Sequence, residues 1–112
     1  MPDTLSKEER IYGRKDIEEL LAKGRYGSAG FIRYCIKKDT GLDKSRIMVS
    51  VPKKFFKRAV KRNLLKRRIR ESFRTQKDLI SQPADILFTY NSKELHSFEE
   101  IRTAVAEILS KN

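Results

Sequence analysis

One cysteine, one histidine, three prolines and five glycines are all that this 112-residue chain has of those four types, and each scarcity closes off a class of function. Cys35 has no second cysteine to pair with, so no internal disulfide forms, and its apolar, alternating surroundings suit a reducing cytosol. A protein-held metal needs several His, Cys or closely spaced carboxylates, and neither His96 nor Cys35 has such a partner in sequence, so no metal site is expected in the protein alone. The pairs Glu8/Glu9, Glu18/Glu19 and Glu99/Glu100 are adjacent residues. On a helix such neighbours point about 100° apart, a poor geometry for sharing a metal or a proton, and they read as solubilising charges. His96 stands beside a helix cap, where a capping or solvated role outweighs catalysis. The glycines are scattered between positions 13 and 41 and build no phosphate-binding loop. No apolar run approaches the roughly 18 residues of a membrane span, and MPDTLSKEER lacks the apolar centre of a signal peptide. A soluble cytoplasmic protein with no membrane partner is expected.

What the chain does have is local positive charge. The net charge is +11, and ten of those charges fall within the 22 residues from Lys53 to Arg74, KKFFKRAVKRNLLKRRIRESFR. That window holds eleven Lys or Arg against the single acid Glu71, while the other 90 residues are nearly balanced. A patch of this density on an otherwise neutral small protein is the footprint of a polyanion, and nucleic-acid phosphate is the commonest. Ordinary solvated helix faces mix Lys with Glu at spacings of three and four, which this stretch does not. Self-repulsion there costs stability unless an anion is bound.

With 38% hydrophobic residues and ten aromatics, one modest core of Ile, Leu and Val helped by a few Phe is expected, in a single domain spanning 1–112. Residues 1–12 read as a loosely held, flexible arm. Arg14 to Lys23 reads as a short helix with Ile17, Leu20 and Leu21 on one side and Gly24 in the left-handed terminating position. Gly27 and Gly30 punctuate the chain before FIRYCIK, a strand with Ile32, Tyr34 and Ile36 on one face and Phe31, Arg33 and Cys35 on the other. A polar turn over 39–45 leads to RIMVSV, a strand closed by Pro52. Within the basic segment Leu65, Ile69 and Phe73 form a helical stripe that faces the core, with Val60 and Leu64 nearly opposite. ADILFTY is a further strand. Ser97 with Glu100 forms a capping box for a last helix that buries Phe98, Ile101, Val105, Ile108 and Leu109. The order is helix, two or three strands, basic helix, strand, helix: an α+β fold, an α/β sandwich of helices on a small sheet.

On the basic helix Arg62, Lys66, Arg70 and Arg74 recur every four residues with Arg67 beside them, a ridge able to follow a phosphate path. Lys53 and Lys54 extend it from the strand end, and Lys57, Arg58 and Lys61 fill its start. Asn63 has two open readings: an amide that hydrogen-bonds a base edge, a sugar hydroxyl or a metal-bound water, or an ordinary solvated Asn.

AVKRNLLKRRIRES, preceded by VSVPKK at a strand end, resembles the Arg-Asn-Arg signature segment of the bacterial ribonuclease P protein subunit. The resemblance covers almost the whole chain, element by element. It implies a four-stranded sheet in the order αβββαβα with a left-handed βαβ crossover around the basic helix, a ribosomal-protein-like fold whose hand goes against the usual right-handed rule. It also implies a partner, a large catalytic RNA that removes the 5′ leader of precursor tRNA using Mg2+ held mainly by that RNA. The protein would then be the protein component of a ribonucleoprotein endoribonuclease, inactive alone, with no obligatory protein partner.

By the same resemblance Arg62 and Asn63 match the first two signature positions, and Lys66, Arg67 and Arg70 match the following basic ones. Leu64 departs from the pattern, where the third signature residue is usually Arg. A cleft between the sheet and the first helix would hold the precursor tRNA leader, lined by Tyr34, Phe31, Ile17, Leu21 and Ser50. Ile17 and Leu21 stand where some members have aromatic residues, which stack on bases more strongly, and core packing is an equal reading for both. Three other functions stay in play. A structural ribosomal-type RNA-binding protein explains the charge equally well but gives no reason for a cleft. A DNA-binding regulator lacks the short-turn helix partner, and a protein nuclease lacks a ligand set.

Overall fold

Alternation along four strands decides on which side of the molecule each later feature lies. The computed structural model describes residues 9–11 and 13–112. In chain order they form α1 (Arg14–Lys23), β1 (Arg25–Ala29), β2 (Ile32–Lys38), β3 (Arg46–Ser50), α2 (Ala59–Arg74), β4 (Ala84–Tyr90) and α3 (Phe98–Ser110), with a short 3-10 turn at Lys77–Leu79. The sheet order is β1-β2-β4-β3. β2 pairs antiparallel with both β1 and β4, whereas β3 lies parallel to β4, so α2 carries the crossover between them. The mixed four-stranded sheet with three helices is the expected α+β architecture.

Paired residues share a face. The rows Arg25–Ile36–Ile86–Ile47 and Gly27–Tyr34–Phe88–Val49 point to one side. There α2 and α3 close the main core, with Leu65, Ile69, Phe73, Ile101, Val105, Ile108 and Leu109 fully buried. Burying one such side chain contributes about 1.5–3 kcal/mol, which sets α2's orientation despite its charge. On the other side runs the row Tyr26–Cys35–Leu87–Met48. A smaller cluster forms there, in which Leu20 of α1, Cys35 and Ile11 are buried and Ile17, Met48 and Leu87 pack against them.

α1 is fixed by charge as well as by packing. Arg46 donates from Nε to Asp85 Oδ1 at 2.9 Å and from Nη2 to Asp85 Oδ2 at 2.6 Å, while Nη1 reaches Asp16 Oδ2 of α1 at 3.2 Å. Asp85, with the Asp16 carboxylate behind it, holds the Arg46 guanidinium pKa above its already high ordinary value.

Four expectations need correction. Gly24 is extended at φ −73°, not left-handed; a β-carbon there would collide with Cys35 Sγ and lie 2.5 Å from Leu20 O, so close approach is what requires glycine. Gly27 does not interrupt a strand but lies inside β1, where the Tyr34 ring occupies the space of a β-carbon. Gly30 does supply a turn, with φ +59° at the first position of the two-residue hairpin loop. Phe98 is half-buried, because it stands at the first turn of α3, beyond the sheet. Most of the arm over 1–12 lies outside the described residues, but Glu9 to Ile11 are not loose. Arg10 bridges Ile47 in parallel, the Ile11 N–H donates to Ile47 O at 3.0 Å, and Ile11 is buried.

Candidate nucleic-acid interface

The helix that carries most of the charge begins with nothing to neutralise it among the described residues. Arg58 occupies the N-cap of α2 without a side-chain cap, and the first turn contains no acid. Unpaired N–H groups and the positive end of the helix dipole therefore point where Lys57, Arg58 and Lys61 are exposed. Farther along, Asn63 and Arg67 are exposed and Lys66 and Arg70 half-buried, and none has a hydrogen-bond or carboxylate partner among the described residues. Burial lowers the Arg70 pKa, and the guanidinium groups of Arg10 and Arg67 lower it further. Three like charges converge without a counter-ion among the described residues, the arrangement an oligoanion relieves.

Three arginines of the same helix are used internally. Arg62 Nη1 donates to the carbonyl oxygens of Phe56 and Lys57, both at 2.8 Å, and so fastens the 52–58 loop onto the first turn. Arg68 Nη1 donates to His96 O at 2.6 Å. Arg74 pairs with Glu71 on its own helix. Lys53 and Lys54 are exposed as expected, with Lys54 Nζ 5.1 Å from the centre of the Phe55 ring. Leu64 is half-buried and Val60 exposed, both off the core stripe.

His96 is half-buried beside the cap, as expected, with Nδ1 3.4 Å from the capping-box carboxylate of Glu100. Its ring stacks on Phe31 at 3.8 Å and 9°, its Nε2 is 3.2 Å from Ser92 Oγ, and its backbone N–H donates to Tyr90 Oη at 3.0 Å. It is a packing residue of the β4–α3 connection. The capping box itself is present: Ser97 N–H donates to Glu100 Oε1 at 3.0 Å and Glu100 N–H donates to Ser97 Oγ at 3.2 Å.

The five residues expected in one cleft are divided between the two sides of the sheet. Ile17 packs in the smaller cluster, Leu21 is 42% exposed on α1, and Ser50 follows Met48 on the same sheet face. Tyr34 lies on the opposite face, 7% exposed, with Lys111 Nζ 5.7 Å from its ring centre. Phe31, at the hairpin turn, packs against the main core. The reason is strand alternation: Cys35 faces α1, so Tyr34 cannot. Among the described residues the exposed aromatic beside α1 is Tyr26, which sequence reading passed over because Gly24 and Gly27 on either side of it read as breaks, whereas both flank it in extended backbone. Arg10 was missed for a different reason: a single arginine in an N-terminal segment carries no pattern.

The family described as Ribonuclease P matches residues 5–112. The ribonuclease P protein component of Porphyromonas gingivalis is 35% identical over 94% of this chain and 83% of its own length. That of Thermotoga petrophila is 34% identical, over 90% and 85%. Among solved structures, the RNase P protein from Thermotoga maritima superposes with a TM-score of 0.81 at 28% identity, covering 93% of this chain and 97% of that one. A Staphylococcus aureus RNase P protein structure gives 0.78 at 27% identity, over 92% and 93%.

Proposed function

Since the chain belongs to the ribonuclease P protein family, we propose that α2 and its flanks bind the catalytic RNA of that ribonucleoprotein and that the complex removes the 5′ leader of precursor tRNA. The observation that carries this reading is the surface of α2: an uncapped, acid-free helix start followed by Asn63, Lys66, Arg67 and Arg70, all without described partners. Phosphates of a folded RNA would neutralise that surface, and each contact would release condensed counter-ions. Asn63 would add a hydrogen bond that a phosphate or a sugar hydroxyl can take.

Mg2+ enters through the RNA in this reading. Among the described residues no three His, Cys, Asp or Glu side chains come together as a metal site. The protein's contribution is electrostatic and positional: it screens phosphate repulsion between two RNAs and holds the leader beside α1. Among the described residues no helix is long and apolar enough to cross a membrane. A cytoplasmic site of action fits a tRNA-processing role.

The test is cleavage of precursor tRNA at low magnesium by RNA alone, protein alone and both together. Cleavage only with both is expected. Robust metal-dependent cleavage by rigorously RNA-free protein would overturn the assignment, and an RNA whose activity ignores the protein would leave the structural RNA-binding role as the better account.

A further inference from the structure

Outside Lys53–Arg74 the charges nearly balance in number but not in place. A pocket of about 580 Å³ opens where the end of α1, the start of β1 and the end of β2 meet, and Lys23, Arg25, Lys37 and Lys38 line it against the carboxylates of Glu19 and Asp39. Glu19 is shared: its Oε1 lies 3.5 Å from Lys23 Nζ and 4.0 Å from Lys37 Nζ. Ion pairs that long, to a carboxylate that is 43% exposed, contribute little. Lys38 Nζ donates to the main-chain oxygen of Asn112. Arg25 is exposed and has no hydrogen-bond or carboxylate partner among the described residues. Four cations thus face two side-chain carboxylates, and an anion that enters meets a positive lining.

The backbone that carries these cations is held in place. Only Gly24 separates Lys23, the last residue of α1, from Arg25, the first of β1. The Gly24 N–H donates to Leu20 O at 2.7 Å, and a β-carbon on Gly24 would lie 2.4 Å from Cys35 Sγ, so the join between helix and strand has no slack. Arg25 pairs with Ile36, the residue before Lys37 and Lys38 on β2. Cations on a fixed backbone lose less freedom when an anion binds. The lining holds no aromatic ring and, besides Ile36, no apolar side chain. No base can stack there, so what the pocket recognises is repeated backbone phosphate. Its volume lies within the roughly 300–1,000 Å³ of ligand sites.

The pocket is separate from the α2 ridge. It sits at the β1–β2 side of the sheet, whereas α2 packs against β3 at the other edge, about 14 Å from β1 by strand spacing. That exceeds the Debye length of about 8 Å at physiological salt, so the two patches attract anions independently. We propose that this pocket is a second phosphate-binding site, which takes the backbone of an RNA segment without regard to its sequence. The assignment rests on the ribonuclease P reading, in which two RNAs are held together, and adds to it a contact at the sheet edge opposite α2.

The experiment has two arms, both on the full chain. In the first, inorganic tripolyphosphate is titrated into isotope-labelled protein free of RNA, and the backbone amide resonances of Arg25, Lys37 and Lys38 are followed by NMR. Saturable shifts are expected. They should persist in Arg67→Ala, which weakens the α2 ridge, and vanish in the double variant Lys23→Gln/Arg25→Gln, whose two positions are exposed. In the second arm, assembly with the catalytic RNA and the affinity of the assembled complex for precursor tRNA are each measured across monovalent salt. The double variant should reduce one of the two slopes of log affinity against log salt by up to about two, about one per lost cation. Should it not fold, Arg25→Gln alone carries the expectation with a reduction of up to about one. The slope that falls identifies the RNA. Glu19→Gln should tighten binding of that same RNA, because it removes the carboxylate two lysines share, a gain that a purely structural Glu19 would not give. If tripolyphosphate moves the resonances and neither slope changes, the pocket holds free polyphosphate and the RNA assignment is overturned. If the resonances do not move, the cations only guard the β1 edge against strand pairing, and the site is overturned. Slopes flattened by Lys66, Arg67 and Arg70 variants but not by the double variant would strike this site and leave the ribonuclease P reading intact. An unmodified protein that binds neither RNA would strike both.

Discussion

Arg62 and Phe56 are joined by a hydrogen bond of 2.8 Å from the guanidinium Nη1 to the backbone carbonyl, and the same nitrogen reaches Lys57 O at 2.8 Å. A residue proposed to contact RNA thus also closes the loop that leads into its own helix. Phe56, held in that loop, is buried against Tyr90, with ring centres 5.8 Å apart.

Arg62→Ala should therefore cost folding stability as well as RNA affinity. Losing hydrogen bonds from a charged donor is worth about 1.5–3 kcal/mol, reduced by the side chain's partial exposure to something nearer 1 kcal/mol. Asn63→Ala, exposed and without a described partner, should change stability by less than about 0.5 kcal/mol while still weakening RNA binding. Urea denaturation of the isolated protein reads both, and equal stability for the two variants would show that the Arg62 clamp contributes nothing.

Lys66→Ala, Arg67→Ala and Arg70→Ala should each reduce the slope of log affinity for the catalytic RNA against log salt by up to about one. Titrations over a range of monovalent salt provide the slopes. Three unchanged slopes would move the RNA interface off α2.

Leu64→Arg and Leu65→Arg separate the two sides of α2. Leu65 is fully buried, and an unpaired guanidinium there should cost several kcal/mol or abolish folding. Leu64 is half-buried off the core stripe, so Leu64→Arg should fold with a small change in thermal midpoint and bind RNA as tightly or more tightly. The reverse order of melting temperatures would mean that the buried face of α2 is assigned backwards.

Glu100 provides a pH test. Its carboxyl pKa is held below the ordinary value, first by the Ser97 backbone N–H and then by His96 and the Ser97 side chain. A pKa lower in the folded chain than in the unfolded one gives stability that is fully present above the unfolded value. That stability is lost as pH falls through the lowered one. Glu100→Gln removes the titration, so the stability gap between wild type and variant, read by urea denaturation across a pH series, should narrow on acidification. A gap that is constant from neutral pH into the acid range would remove the carboxylate from the cap's energetics.

The sequence by itself determined most of the elements, β1 excepted, and the polyanionic character of the partner that α2 suits. Leu65, Ile69 and Phe73 recur at helical spacing, so one face of α2 had to be buried and the Lys and Arg ridge had to face outward. Ser97 and Glu100 sit three residues apart, and their capping box is a local interaction that needs no tertiary partner. Periodicity and charge density are one-dimensional signals. Tertiary structure decided what depends on which side of a sheet a strand presents. Tyr34 and Cys35 are neighbours in sequence, but one faces α3 and the other α1, and only the pairing of β1 with β2 settles which. The same pairing set Tyr26 beside Arg33 on the face that α1 borders. It was also the fold, not any motif, that brought Arg10 to β3 and turned Arg62 and Arg68 inward to backbone carbonyls, because a guanidinium's partner depends on which loop passes within its reach.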